Sequence, residues 1–308
     1  MRIRLLVILA SILATLTMAA PAHAIVNGLP DNGEHPQVGE LLFYVPDAID
    51  PRFTDPGGWF SCSGTLLNAT TVVTAGHCTF GVGRNGASTT AGGGTGSGGN
   101  DVWINFSEAP DFSILPPSVT FAPNNNAGRY AAWSAALNAS PEWVRATSHP
   151  HPQFDPSAFF LHDAGVLVLD EAVQRSQYGR LPQLHLLDSL IRDQTQRYTA
   201  VGYGLEGSGP HTSIGGDTRR KSNEKLVNLN GVFGAGKGIA AKFSNNLGVN
   251  QTGGTCFGDS GGPIFVAGTT TLTSVVSFGI SQTCTGTSGG YRLDQPDDLT
   301  FLATFGIT

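Results

Sequence analysis

Short strand-like runs separated by turn residues constrain the fold of this chain more than any other feature. The 308 residues include 41 Gly and 18 Pro, and only 13% are charged, which suits many short strands better than long surface helices. A helical apolar period is suggested only near Leu184–Gln196. We therefore predict an all-β sandwich or barrel. The strand-like runs are Val38–Val45, Gly64–Leu67, Thr71–Thr74, Val102–Phe106, Gly165–Leu169, Tyr198–Tyr203, Gly262–Val266 and Leu272–Ile280.

The N-terminus has the order of a secretory signal peptide. Two arginines precede the apolar run Leu5–Ala20, and Ala22-His23-Ala24 provides a small-x-small cleavage site. A membrane anchor is the alternative, but the run is short for a span of about 20 residues, and no second apolar stretch of that length follows. We predict a signal peptide over residues 1–24 and a secreted domain over residues 25–308, with no membrane contact once the signal is removed.

Charge and cysteine content narrow the possible partners. The net charge of −6 and the pI near 5.7 argue against nucleic acid as the main partner. Export makes the four cysteines candidates for disulfides, with three possible pairings. A zinc site is the weaker alternative, because no C-x-x-C spacing is present. His149 and His151 have no third ligand beside them, so we expect loop residues there and predict neither a metal nor a cofactor. The cysteines are Cys62, Cys78, Cys256 and Cys284.

The segment Gly254–Pro263, with the sequence GTCFGDSGGP, has the composition expected around a nucleophilic serine. A serine hydroxyl needs a base to remove its proton and donors to stabilise the oxyanion that forms. Glycines around Ser260 let successive backbone N–H groups point into one hole. The neighbouring Asp259 needs a cationic partner if it is buried. A plain Gly-rich turn is the alternative, but the full string after a cysteine is far more specific than Gly-x-Ser-x-Gly alone.

His77 and Asp163 are the candidate base and its partner. His77 follows a strand-like run and precedes a cysteine, a context that supplies the rigid mount a base needs. Asp163 precedes the apolar run Gly165–Leu169, which indicates a buried strand. An imidazole N–H would satisfy a carboxylate entering a core, and the carboxylate would fix the tautomer of the histidine. From the residues alone, Asp155 and Asp170 are equal candidates.

These motifs, in the order His, Asp, Ser, resemble the chymotrypsin/trypsin-like serine peptidases (family S1). The resemblance covers the chain from Ile25 onward and implies two six-stranded antiparallel β-barrels with the active site in the cleft between them. The first barrel would contribute His77 and Asp163, and the second would contribute Ser260. The motifs that carry the resemblance are Ile25-Val-Asn-Gly28, Cys62-Ser-Gly-Thr-Leu66, Thr74-Ala-Gly-His-Cys78, Asp163-Ala-Gly-Val-Leu167, Gly202-Tyr-Gly204 and Gly258-Asp-Ser-Gly-Gly-Pro263.

The resemblance also implies roles for further residues. Backbone N–H groups of Gly258 and Ser260 would form the oxyanion hole, and the disulfides would be Cys62–Cys78 and Cys256–Cys284. The chain departs from the family pattern at His162, where the family commonly has asparagine.

The activity implied is that of a secreted serine endopeptidase acting on protein or peptide substrates, and we expect it to be a monomer. The alternative is a non-catalytic binding or regulatory module on the same scaffold, since a fold does not fix a function. Such modules typically lose a triad residue, and this chain has all three.

The family pattern also predicts the primary specificity pocket. Its floor would be Gly254, where trypsin-like members place an aspartate, and its walls would include Gly279, in Ser277-Phe278-Gly279, and Gly289. An uncharged floor gives no counter-ion to a buried cation. We therefore expect cleavage after large apolar or aromatic residues.

Activation in this family depends on a new N-terminal isoleucine whose ammonium pairs with the aspartate before the nucleophile. Signal peptidase cutting after Ala24 would itself expose Ile25 for a pair with Asp259, so no separate zymogen stage would be needed. The alternative is a cut after Ala20, which leaves Pro21–Ala24 as a very short propeptide.

Overall fold

The first half of the chain is a closed antiparallel barrel. The computed structural model describes residues 25–91, 96, 98–208, 213–231, 236–245 and 253–307, so the predicted signal peptide, 1–24, lies outside the described residues. After a two-residue strand β1 (Leu29–Pro30), the barrel strands are β2 (Val38–Val45), β3 (Gly58–Asn68), β4 (Thr71–Thr74), β5 (Val102–Asn105), β6 (Val144–Pro150) and β7 (Gly165–Leu169). The barrel closes in the order β2-β3-β4-β7-β6-β5. Four of the five strands predicted in this half keep their bounds to within one residue because their side chains fill the interior of the barrel. The strand predicted over Gly64–Leu67 is the longer β3, and β6 was not predicted.

The second half is a curled antiparallel sheet of eight strands. The remaining strands are β8 (Tyr198–Gly202), β9 (Gly207–Ser208), β10 (Ser213–Ile214), β11 (Arg220–Glu224), β12 (Leu226–Asn228), β13 (Ala240–Asn245), β14 (Pro263–Val266), β15 (Leu272–Gly279) and β16 (Gly286–Arg292). The sheet runs β1-β11-β8-β14-β15-β16-β13-β12, and β9 pairs with β10 separately. The predicted fold class is confirmed. The second half differs from a closed six-stranded barrel because the short edge strands β1 and β12 extend it without pairing to each other within the described residues.

Three α-helices accompany the strands in the described part of the chain. The predicted helix near 184–196 is the short α2, whereas α1 and α3 were not expected from the apolar period. The Ala-rich composition of α1 favours a helix, and its N-cap Asn125 accepts the N–H of Gly128 at 3.0 Å. The helices are α1 (Asn126–Ala139), α2 (Leu186–Leu190) and α3 (Pro296–Ala303).

Among the described residues, no helix has both the length and the apolar character needed to cross a membrane.

Hydrogen bonds between the two halves fix the cleft. Ser63 in β3 donates its N–H to the carbonyl of Ser260 at 2.7 Å and its hydroxyl to the carbonyl of Gly258 at 3.1 Å. Tyr203, which follows β8, donates its hydroxyl to the carbonyl of Ser107 at 2.7 Å. The loop that carries Ser260 is therefore tied directly to the first barrel.

Two disulfides brace the same region. Cys62 in β3 bonds Cys78, the residue after His77, and Cys256 bonds Cys284. Both pairings implied by the family resemblance are thus present. The bonds close loops of 16 and 28 residues, each of which contributes roughly 3–4 kcal/mol in the chain-entropy description.

Candidate active site

His77 and Asp163 meet at one end of the first barrel. His77 lies in the 3₁₀ turn that follows β4, and Asp163 lies just before β7. Strands β4 and β7 pair with Thr74 opposite Gly165, which brings the two side chains together. The Nδ1 atom of His77 is 2.9 Å from Asp163 Oδ2, and the His77 backbone N–H donates to Oδ1 at 2.8 Å. Asp163 is fully buried, whereas 27% of the His77 side chain is exposed.

The structure separates Asp163 from the other two aspartate candidates. Asp155 accepts the N–H of Ser157 at 2.8 Å and caps a 3₁₀ turn, which is an ordinary local role. Asp170 is exposed at the end of β7. Of the three, only Asp163 contacts the histidine.

Ser277 forms a second support for Asp163. This residue of β15, predicted only as part of the pocket, donates its hydroxyl to Asp163 Oδ2 at 2.5 Å. The sequence gives no sign of this contact, because it joins the two halves of the molecule. Burial disfavours the charged imidazole, but the charge of Asp163 and its hydrogen bond prevail and raise the pKa of His77 above its ordinary value.

Ser260 lies in the loop that precedes β14 in the second half, where this loop contacts the first barrel. Gly258 and Gly261, on either side of it, have φ values of +98° and +76°, which favour glycine. Ser260 lines a cavity that Ser277 and Phe159 also line, and the Phe159 ring packs edge-on against His77 with 6.2 Å between centroids. No hydrogen bond joins Ser260 to His77 among the described residues. Catalytic hydrogen bonds often tighten only when substrate is bound.

The cavity beside Ser260 has a volume of about 440 Å³. Ser277, Phe278 and Gly279, which the family pattern assigns to the substrate pocket, are among its lining residues, and none of its described lining residues is charged. Its mouth carries three exposed apolar side chains, Phe159, Phe257 and Ile280.

The predicted floor and far wall, Gly254 and Gly289, are absent from the described lining of the cavity. A β-carbon at Gly254 would lie 2.0 Å from Cγ of Asn245, and one at Gly289 would lie 1.9 Å from the ring of Phe278. Side chains of Asn245 and Phe278 therefore cover the two glycines.

Asp259 is a buried carboxylate with two hydrogen-bond donors. It accepts the N–H of Gly204 at 2.9 Å and that of Cys256 at 2.8 Å. Burial raises the pKa of Asp259 to about 7, although these two bonds act in the opposite direction. No ion pair involves it among the described residues. Ile25 is also fully buried, next to Val26, which exchanges two backbone hydrogen bonds with Gly254.

Two further buried carboxyl groups, those of Glu224 and Glu40, are affected by the charge of Asp259. Burial raises the pKa of Glu224 to about 8, and the charge of Asp259 contributes. Burial and the charges of Asp217 and Asp259 hold the pKa of Glu40 well above its ordinary value. Sequence reasoning missed both, because neither lies in a motif.

A barrel and a curled sheet with a His–Asp pair and a GDSGGP loop at their junction define a chymotrypsin-like serine peptidase fold. The family model described as Trypsin matches residues 134–293, which is 160 of the 308 residues and includes Asp163 and Ser260. The chain therefore belongs to the trypsin family.

The comparison with solved structures agrees on the fold. HL collagenase is 18% identical, with a TM-score of 0.60, and the match covers 92% of this chain and all of the collagenase chain. No curated protein sequence matches significantly.

Proposed function

We propose that residues 25–308 form a secreted serine endopeptidase that uses His77, Asp163 and Ser260 as a catalytic triad, with residues 1–24 as its signal peptide. The observation that carries the proposal is the fully buried Asp163, which holds Nδ1 of His77 at 2.9 Å beside the cavity that Ser260 lines. Two disulfides support export.

The proposed reaction proceeds through an acyl-enzyme. Ser260 Oγ attacks the peptide carbonyl while Nε2 of His77 takes its proton, and backbone N–H groups of Gly258 and Ser260 bind the oxyanion. The C–N bond then breaks, and the imidazolium gives its proton to the leaving amine. Water, deprotonated by His77, attacks the ester, which releases the acid and restores the Ser260 hydroxyl. Asp163 keeps Nδ1–H oriented and stabilises the imidazolium.

Cleavage after large apolar or aromatic residues fits the cavity beside Ser260. Its described lining has no charge to pair with a lysine or arginine side chain, and apolar residues surround its mouth. Burying an unpaired cation there would be unfavourable.

Activation by the Ile25 ammonium is supported by the state of Asp259. A fully buried carboxylate without a cation is unfavourable unless it takes up a proton. Ile25 has φ of +57°, a left-handed value that a β-branched residue rarely adopts. Cleavage after Ala24 would remove the peptide bond that defines this angle and would supply the missing cation.

A fluorophosphonate probe tests the proposed nucleophile. We expect one label per molecule in a chain that begins at Ile25, located on Ser260 by mass spectrometry, and none in Ser260→Ala. His77→Ala should fold but label far more slowly. Peptide hydrolysis by Ser260→Ala at a near-normal rate would overturn the proposal and favour a non-catalytic module or a different nucleophile.

A further inference from the structure

Two histidines and an aspartate converge outside the active site. One ligand atom each from His151, His162 and Asp297 lie within 4.8 Å of one another. The sequence places His151 beside His149 without a third ligand, and only the fold brings the other two residues to it. The other convergent set among the described residues, Cys62, His77 and Cys78, is closed to metals because its sulfurs form a disulfide.

The hairpin of β6 and β7 sets the two histidines side by side. His151 follows β6 and donates its N–H to the carbonyl of Ala164 at 2.8 Å, which holds it beside the segment that enters β7. The His151 and His162 rings stack with 5.1 Å between centroids and 13° between planes. Asp297 reaches them from the first turn of α3.

His162 and Asp297 approach each other at the distance of an ion pair but do not form a hydrogen bond. His162 Nδ1 is 3.1 Å from Asp297 Oδ2, yet this buried nitrogen has no hydrogen-bond partner of suitable direction. Ligand atoms around a tetrahedral zinc lie roughly 3.3 Å apart, given metal–ligand distances near 2.0–2.1 Å. Because an ion lies near the plane of each imidazole that binds it, the stacked ring of His162 has to rotate towards the ion and Asp297 has to shift. The side chains of His162 and Asp297 are 26% and 40% exposed, which leaves them room for this rearrangement.

The surroundings of His151 suit coordination through Nδ1. This atom accepts the N–H of Gln153 at 3.2 Å, a long bond in a surface loop, and the ring also faces the main chain of Asp297. An ion at Nδ1 would replace the Gln153 contact and leave the other ring nitrogen to donate to a backbone carbonyl. Metal-bound histidines usually have such an outer partner.

A cavity gives solvent access to two of the three residues, His151 and Asp297. It has a volume of about 650 Å³ and lies between the loop that contains His151 and the helix α3, with Asp297 and Phe301 among its lining residues. The cavity provides the entry path that a metal site needs and space for a water molecule as fourth ligand.

We propose that His151, His162 and Asp297 bind a divalent transition-metal ion of the Zn²⁺ class. Two imidazole nitrogens and one carboxylate oxygen form a donor set that zinc prefers. The ion joins α3 to the loop that carries Asp163, so it stabilises the folded chain. The proposal does not depend on the proposed peptidase activity.

Calorimetric titration of the full chain carrying Ser260→Ala with ZnCl₂ tests the site without self-digestion. We expect one Zn²⁺ per chain and a higher midpoint of thermal unfolding when Zn²⁺ is present. His162→Asn and Asp297→Asn should each weaken binding by about 100-fold or more, since loss of even an outer partner costs 10–100-fold. Asparagine tolerates the φ of +53° at position 162, so that variant should fold.

His185→Asn is the matched control. His185 also has a left-handed backbone, with φ of +59°, and its Nδ1 is 3.6 Å from Asp188 Oδ2, but no described third ligand joins them. The His185→Asn variant should bind Zn²⁺ as tightly as the parent chain does. No saturable binding in the parent, or equal binding in folded His162→Asn and Asp297→Asn, would overturn the proposal.

Discussion

Asp163 is fixed by three donors, two from His77 and one from Ser277. The backbone N–H and Nδ1 of His77 contact it from the first barrel, and the Ser277 hydroxyl contacts it from the second half. A carboxylate held in this way has one orientation, so the His77 ring has one as well. At the residue scale, this group of contacts sets the orientation of His77, the base of the proposed mechanism.

Asp163→Asn should leave the fold intact and strongly reduce turnover. The amide cannot hold the correct imidazole tautomer, and the same change in other serine proteases costs on the order of 10⁴ in kcat. Because Asp163 raises the pKa of His77, and the neutral imidazole is the active form, activity should fall as pH decreases through a value above 6.5. The midpoint of that fall should move to lower pH in Asp163→Asn, as measured by kcat/KM against pH.

Ser277→Ala provides a milder comparison. It removes one donor but keeps the carboxylate, so kcat/KM should fall by roughly tenfold. Near-normal kcat in Asp163→Asn would show that Asp163 does not orient the base.

At the element scale, β15 lines the cavity beside Ser260, while side chains of β13 and β15 cover two of the glycines predicted for it. Phe278 from β15 covers Gly289, and Asn245 at the end of β13 covers Gly254. Of the three glycines predicted for the pocket, Gly279 lines the cavity, whereas Gly254 and Gly289 are covered and are absent from its described lining. This arrangement favours a shallow apolar pocket over a deep one with a charged floor.

Substrates with Phe or Leu before the cleaved bond should exceed matched Lys or Arg substrates in kcat/KM by roughly 100-fold or more, because a buried unpaired cation is costly. A peptide library read by mass spectrometry measures the preference. Gly254→Asp should not confer Arg preference, since its β-carbon would lie 2.0 Å from Asn245 Cγ. A clear preference of the parent for Arg or Lys would contradict the proposed specificity.

At the scale of the whole molecule, the proposed pair between the Ile25 ammonium and Asp259 would couple processing of the N-terminus to stability. The folded pKa of Asp259 is about 7, against an ordinary value of 3.8. In a chain without the free Ile25 ammonium, the folded state keeps a proton that the unfolded state loses. The stabilisation that this proton contributes is complete below about pH 4 and is lost as the pH rises to about 7.

A chain with one residue added before Ile25 should be nearly inactive. Between pH 4 and pH 8, its free energy of unfolding should fall by up to roughly 4 kcal/mol relative to that of a chain that begins at Ile25. Urea unfolding at several pH values measures the difference. Burial, which is the largest cause of the raised pKa of Glu224 and of Glu40, acts in both chains, so that part of their contribution cancels.

Asp259→Asn in the extended chain is the control, because it should remove the excess pH dependence. Full activity of the extended chain would show that the ion pair between Ile25 and Asp259 is not the switch.

Local patterns were enough to locate many strands and the reactive residue types. The run Val38–Val45 forms β2 with the same bounds, because its apolar side chains favour a buried strand whatever its partners are. The motif around Ser260 is equally local, since its glycines allow the backbone conformation of the loop in which they lie. By contrast, α1 escaped detection because alanine gives little contrast between the two faces of a helix.

Tertiary structure alone decided which separated residues act together. The sequence did not distinguish Asp163 from Asp155 and Asp170 as the partner of His77. The pairing of β4 with β7 places Asp163 next to that histidine. The coverage of the pocket glycines by Asn245 and Phe278, and the approach of Asp297 to two histidines, likewise depend on contacts between distant segments. A sequence encodes its periodicities and motifs locally, whereas these distances arise only when the barrel closes and the second half packs against it.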